Sequence, residues 1–233
     1  MRPKTRSPGT GRSAPDAGGV TARLRITEIF LSLQGETSRA GLPTAFVRLT
    51  GCPLRCVWCD TAYAFSGGKL MTLQAILDRL AELRAHYVCV TGGEPLAQKG
   101  CLALLTALCD AGYAVSLETS GALDLSGVDR RVSKVMDLKA PASGECGRNR
   151  WANLEHLTRR DEIKLVLAGE SDYEWAKRML VEHRLDRICP VLFSPVYGKF
   201  APTELADRVL EDHLPVRVQI QLHKLLWGEV RGR

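Results

Sequence analysis

No stretch of this sequence is apolar over the roughly 18 residues that a membrane-spanning helix needs, so no span of a bilayer is expected. The first 20 residues, rich in Gly, Pro, Ser and Arg, lack the apolar centre of an export signal. They read as a disordered basic extension over residues 1–20, followed by a single domain over residues 21–233. Without an export signal the expected place is the reducing cytoplasm, where the 8 cysteines serve as metal ligands or buried thiols. Beyond residue 20 there are no dense Lys/Arg clusters interleaved with aromatics, which argues against direct nucleic-acid binding. The balance of 32 Lys plus Arg against 26 Asp plus Glu, a net charge of +6, suits an anionic small ligand instead.

What the chain does contain is a regular alternation of strands and helices. Strands are expected over residues 23–33, 44–51, 87–93, 113–121, 132–141, 161–169, 187–195 and 216–224. Helical spacing of apolar residues appears over 72–84, where Leu73, Ile76, Leu77, Leu80 and Leu83 recur. It appears again around Cys101, Leu104, Leu105 and Leu108, over 172–184 and over 203–212, with a short helix at 151–158. Such alternation predicts an α/β fold of parallel βαβ units, an incomplete barrel of about six strands with its site at the C-terminal strand ends. The polar and Gly-rich segments fall at those ends: a cysteine loop, TGGEP, ETSG, DLKAP and SPVYG.

The cysteine loop is the most specific signal. Cys52, Cys56 and Cys59 lie within GCPLRCVWCDT, and no fourth cysteine stands nearby. A structural zinc site is closed and wants four ligands. Three thiolates from one loop can instead hold a four-iron cluster with one iron open to another ligand. The remaining cysteines, at 89, 101, 109, 146 and 189, are scattered and form no second pair.

A Cys-x3-Cys-x2-Cys loop followed by GGEP (Gly92 to Pro95) at the next strand end resembles the radical S-adenosylmethionine (SAM) superfamily. With LQGE (Leu33 to Glu36), CDT after the cysteines, and QLHK near the end, the chain resembles the 7-carboxy-7-deazaguanine synthase family. The resemblance implies a radical SAM barrel, a [4Fe-4S] cluster, SAM and Mg2+. It implies a lyase that takes a hydrogen from C6 of 6-carboxy-5,6,7,8-tetrahydropterin, contracts the ring and releases ammonia, serving queuosine and other 7-deazapurines. By the same resemblance Cys52, Cys56 and Cys59 hold the cluster and Thr61 the magnesium. Leu33, Gln34, Gly35, Arg48 and Thr91 contact substrate, with Arg48 on its carboxylate; Gly93, Glu94, Asp137, Leu138, Lys139 and Ser194 contact SAM. No side chain is assigned as the chemical catalyst, because the radical chemistry belongs to the cofactor. An electron donor such as flavodoxin or ferredoxin, and a homodimer, are the expected partners.

Several residues carry a second reading. Asp60-Thr61 would otherwise be a turn or helix cap. Glu118 either meets ligand or pairs with a lysine, and His223 either lines the site or packs beneath it. Thr37 departs from the glycine that the family often has after QGE, which bears on the path of that loop. Two other functions stay open on residues alone: a different radical SAM enzyme such as a glycyl-radical activase, and a zinc-stabilised RNA-binding module.

Overall fold

The computed structural model describes residues 22–232, and the extension expected over 1–20 lies outside them. Nine strands form one sheet in the order β3-β1-β2-β4-β5-β6-β7-β8-β9. The strands are β1 (Arg23–Leu33), β2 (Pro43–Leu49), β3 (Lys69–Thr72), β4 (Tyr87–Gly92), β5 (Ala114–Thr119), β6 (Ser133–Lys139), β7 (Glu162–Leu167), β8 (Val191–Pro195) and β9 (Arg217–Val218). Seven of them run parallel: the two-residue β9 lies beside β8, and the other six, β2, β4, β5, β6, β7 and β8, pair from Thr44 beside Tyr87 to Leu167 beside Pro195. This is the expected six-strand parallel core.

The helices are α1 (Leu73–Leu83), α2 (Cys101–Asp110), α3 (Glu170–Glu182), α4 (Leu185–Ile188), α5 (Pro202–Glu211) and α6 (Leu222–Trp227). Helix α1 starts where the Thr72 hydroxyl accepts a hydrogen bond from Ala75 N at 3.2 Å, capping a free backbone donor. It buries Leu73, Ile76 and Leu80, the stripe its spacing predicts. One strand face carries the apolar core, with Ala45, Val47, Leu49, Val88, Val90, Leu117, Met136, Leu138 and Leu165 packed together. Full burial of each such side chain contributes on the order of 1.5–3 kcal/mol. The opposite face is polar, and period 2 turns Arg48, Thr91, Glu118, Asp137 and Lys164 the other way.

Three expectations need correction, and one strand was not foreseen. The sheet is not wholly parallel: β1 pairs antiparallel with β2, because the connection over 34–42 is too short for a crossover. Strand β3, only four residues long and paired with β1, has too short a pattern to be seen in the sequence. The strand expected at 187–195 begins only at Val191; Leu185–Ile188 is helical, and Pro190 has no N–H for a ladder. The last strand, expected over 216–224, pairs with β8 only at Arg217–Val218. His223 and Lys224 lie instead in α6: beyond Gln219 the ladder ends, Leu222 N donates to Gly35 O at 2.9 Å, and Lys224 N turns back to Gln221 O at 3.0 Å. Among the described residues no helix is long and apolar enough to cross a membrane.

Candidate functional site

The C-terminal ends of the parallel strands open into one cavity of about 480 Å³. Cys52, Cys56 and Cys59 line its wall as free thiols, each partly buried. Their loop is clamped on both sides: Gly51 N donates to Ala64 O at 2.8 Å, and Glu94 N donates to Gly51 O at 2.8 Å. That second bond presses GGEP against the cysteine loop. A Cβ on Gly93 would sit 2.0 Å from Gly51 O, so only glycine allows this approach.

Burial pushes the Cys52 and Cys56 thiols up; the Leu54 N–H opposes this at Cys52 and the Lys139 ammonium at Cys56. A soft metal centre would remove those protons outright. Among the described residues no three His, Cys, Asp or Glu side chains are gathered as ligands of a single ion. All three thiols line the one cavity, a donor set that suits a cluster taking one thiolate per iron.

Among the described residues four buried side-chain oxygens lack a hydrogen-bond partner, on Ser32, Ser116, Asp137 and Ser194, and the last two stand toward the C-terminal strand ends. Asp137 lines the cavity with its Oδ1 unpartnered, while Oδ2 lies 3.1 Å from Lys139 Nζ and 3.4 Å from Lys164 Nζ. Ser194, in register with cavity-lining Val166, has an unpartnered Oγ but does not itself line the cavity. Buried polar atoms are seldom left unpaired, so an orphan beside a cavity is a place for a polar ligand. These are donor and acceptor positions suited to an amino-acid cofactor such as SAM.

Two of the expected cofactor contacts need correction. Glu94 is fully buried, and its carboxylate accepts from Leu96 N at 3.1 Å, Thr119 Oγ1 at 3.0 Å, Ser120 N at 2.7 Å and Ser120 Oγ at 2.5 Å. Its side chain holds the turn and is not free for a ligand. Leu138 points into the apolar core, because strand alternation sends it opposite to Asp137 and Lys139. Only its backbone can face the cofactor side.

The other wall is built by the loop after β1 and by the chain's end. Leu33, Gln34, Gly35, Arg48, Thr91, Glu118 and His223 all line the cavity. Glu118 accepts from Gln34 Nε2 at 3.1 Å and from Thr91 Oγ1 at 3.2 Å, rather than pairing with a lysine. His223 lines the site and packs so closely on Gly35 that a Cβ there would lie 2.0 Å from its Nδ1. Burial lowers the His223 pKa, against the opposing charges of Glu36 and Asp60. Thr61 also lines the cavity, with Oγ1 3.7 Å from Cys59 Sγ. It precedes the turn Ala62–Phe65, where Ala64 N donates to its carbonyl at 2.8 Å, so the turn reading holds for its backbone while its hydroxyl makes no capping bond.

Thr37 is at φ 70°, left-handed backbone that favours glycine and strains a β-branched residue. Gln219 secures it, accepting from Thr37 N at 2.7 Å and donating to Thr37 O at 2.8 Å. The loop therefore follows a glycine-type path with a threonine in it.

The sequence reading missed Glu36 and Lys164 as cavity residues. Lys164 Nζ donates to Glu36 Oε2 at 2.5 Å, and Gln221 Nε2 donates to Glu36 Oε1 at 2.8 Å. Burial alone would raise the Glu36 carboxyl, but Lys164 and Gln221 hold it down at about 2. Burial opposes the Lys164 charge, yet Glu36, Asp137 and Glu118 raise its pKa well above the ordinary value. A lysine between apolar neighbours in EIKLVL was the available signal. Lys224, also missed, reaches Asp60 in the cysteine loop at 3.0 Å.

Similarity to known proteins points to one enzyme family. A model of the Radical SAM superfamily matches residues 46–142. The 7-carboxy-7-deazaguanine synthase of Chlorobaculum tepidum is 47% identical over 91% of this chain and 98% of its own length. That of Koribacter versatilis is 44% identical, covering 90% of this chain and 100% of the relative. The crystal structure of QueE from Escherichia coli shares the fold, with a TM-score of 0.72 at 22% identity, covering 86% of this chain and 95% of that one. The chain belongs to the 7-carboxy-7-deazaguanine synthase family, and so to the radical SAM enzymes that use a four-iron cluster and SAM.

Proposed function

We propose that this enzyme is a carbon–nitrogen lyase that converts 6-carboxy-5,6,7,8-tetrahydropterin to 7-carboxy-7-deazaguanine with loss of ammonia. The observation that carries the reading is that the three loop thiols and the Arg48 guanidinium line one cavity. Cluster chemistry and a grip for an anionic substrate thus meet in one space.

When bound, the reduced cluster and SAM supply the carbon radical that abstracts the first hydrogen. The chain's own part is placement and exclusion of water. Cys52, Cys56 and Cys59 hold the cluster. Gly93 exposes the strand edge to the SAM methionine, and the Asp137 carboxylate and Lys139 ammonium meet its charged groups. Leu33, Gln34, Gly35 and Thr91 frame the pterin, and Arg48 takes its carboxylate through the guanidinium fork. Glu118, fixed by Gln34 and Thr91, and His223 border the same space. Thr61 would offer Mg2+ its hydroxyl, which makes no capping bond; a hard cation there would favour oxygen ligands and polarise the substrate carboxylate. Ser194 is a weaker SAM contact.

The enzyme works as one domain over residues 21–233, in the cytoplasm, as a homodimer reduced by a flavodoxin or ferredoxin. Anaerobic reconstitution with iron and sulfide, then incubation with the carboxypterin, SAM, reductant and Mg2+, tests the reaction. Mass spectrometry should show a product lighter by ammonia. SAM cleavage without any such product, at saturating pterin, would refute the substrate assignment.

A further inference from the structure

Arg48 does not stand alone at the cavity wall. Its Nε donates to Glu28 Oε1 at 2.7 Å, and Nη1 lies 3.4 Å from Gly92 O. Among the described residues Nη2 makes no hydrogen bond to protein. The same Glu28 Oε1 accepts from Tyr63 Oη at 2.8 Å, and Tyr63 belongs to the turn that follows Thr61. Glu28 itself does not line the cavity, so it meets no ligand directly. Burial opposes the Arg48 charge, but Tyr63 and Glu28 hold the pKa above its ordinary value. The Arg48 and Glu28 side chains are only 14% and 23% exposed, so water screens this pair poorly.

From this arrangement we infer that Glu28 is a positioning residue that lets the site select a carboxylated substrate. Taking up Nε, it turns the guanidinium so that its terminal nitrogens are presented to the cavity. By accepting from Tyr63 as well, it ties that orientation to the turn beside the proposed magnesium residue. An arginine without this brace could swing and lose the planar fork that distinguishes a carboxylate from a neutral group. The inference rests on the reading that Arg48 meets the substrate carboxylate.

The test is anaerobic calorimetry on reconstituted protein, with 6-carboxytetrahydropterin and with tetrahydropterin lacking the 6-carboxylate. Arg48→Ala should weaken binding of the carboxylated ligand alone. Glu28→Ala should weaken it roughly 10- to 100-fold, the loss expected for charge-assisted bonds, and leave the uncarboxylated ligand unchanged. In steady state it should raise KM with little change in kcat, since the radical chemistry is untouched. Glu28→Gln, which keeps an oxygen acceptor, should recover part of the loss, and Tyr63→Phe should give a smaller one. Added to Arg48→Ala, Glu28→Ala should weaken binding by less than about 2-fold more, because coupled residues are non-additive. If Arg48→Ala weakens binding but both Glu28 variants do not, or if the two losses multiply, the positioning role is overturned and the reading of Arg48 stands. If Arg48→Ala itself leaves binding unchanged, that reading falls and the Glu28 role falls with it. Should Glu28→Ala fail to fold, the isosteric Glu28→Gln and Tyr63→Phe decide by the same criteria.

Discussion

At single positions the site is organised by hydroxyls and carboxylates with one task each. Thr61 has a hydroxyl that no backbone group uses. Thr61→Val should keep the cluster, since no thiolate changes, and weaken substrate binding and the magnesium response together. The expected cost is on the order of 1–3 kcal/mol, as for losing one partner of a charged interaction. Titrating turnover against Mg2+ in both proteins checks this, and equal magnesium dependence would return Thr61 to a plain turn residue. Glu36 makes a stability prediction. Its folded pKa of about 2 lies below the ordinary 4.5, so its stabilisation is complete above that ordinary value and lost as pH falls toward about 2. Denaturant unfolding should therefore show a contribution from Glu36 at neutral pH that fades through this acidic window. Glu36→Gln should destabilise at neutral pH toward the lower end of the about 3–5 kcal/mol seen for broken buried pairs. Lys164 keeps Asp137 at 3.4 Å, which limits the loss. A variant with unchanged neutral-pH stability would contradict the pairing.

At the level of elements, the site depends on two segments clamping each other: the loop over 34–38 and the chain beyond Gln219. Gln219 bonds both backbone groups of Thr37, Gln221 bonds Glu36, and Leu222 N donates to Gly35 O. Gln219→Ala removes two of these bonds and should cost about 1–3 kcal/mol, read by thermal unfolding, with a raised KM. Thr37→Gly should change stability by less, since relief of left-handed strain offsets the lost bond from Arg39 N to the Thr37 hydroxyl. This clamp is where sequence reading stopped. The parallel core was legible, because each strand alternates or runs apolar and ends in Gly or polar residues. The cysteine loop and GGEP were legible from spacing. The tail was not: VRVQIQLHK alternates like a strand, and nothing local reveals that its glutamines bond a loop over a hundred residues away. That the side chains of Glu94 and Leu138 are committed elsewhere was hidden for a related reason. A motif marks a segment, whereas burial and strand phase decide which atoms of it are free.

Across the whole molecule, one sheet with two faces separates stability from chemistry. The core face packs Val, Leu and Ile against the helices; the other face gathers thiols, Arg48 and a chain of buried charges around one cavity. The expected consequence is that cluster loss and fold loss are separable. Cys56→Ala should lose iron and all SAM cleavage, measured by iron and sulfide analysis, while the secondary structure seen by circular dichroism stays close to that of the parent. If this cavity sets C6 of the carboxypterin against the site where the radical forms, the hydrogen on C6 passes to 5′-deoxyadenosine. The most direct measurement is deuterium transfer: substrate deuterated at C6 is turned over anaerobically, and the 5′-deoxyadenosine is weighed by mass spectrometry. One deuterium is expected in that product, formed together with 7-carboxy-7-deazaguanine. Turnover that yields the deazaguanine with unlabelled 5′-deoxyadenosine would contradict it.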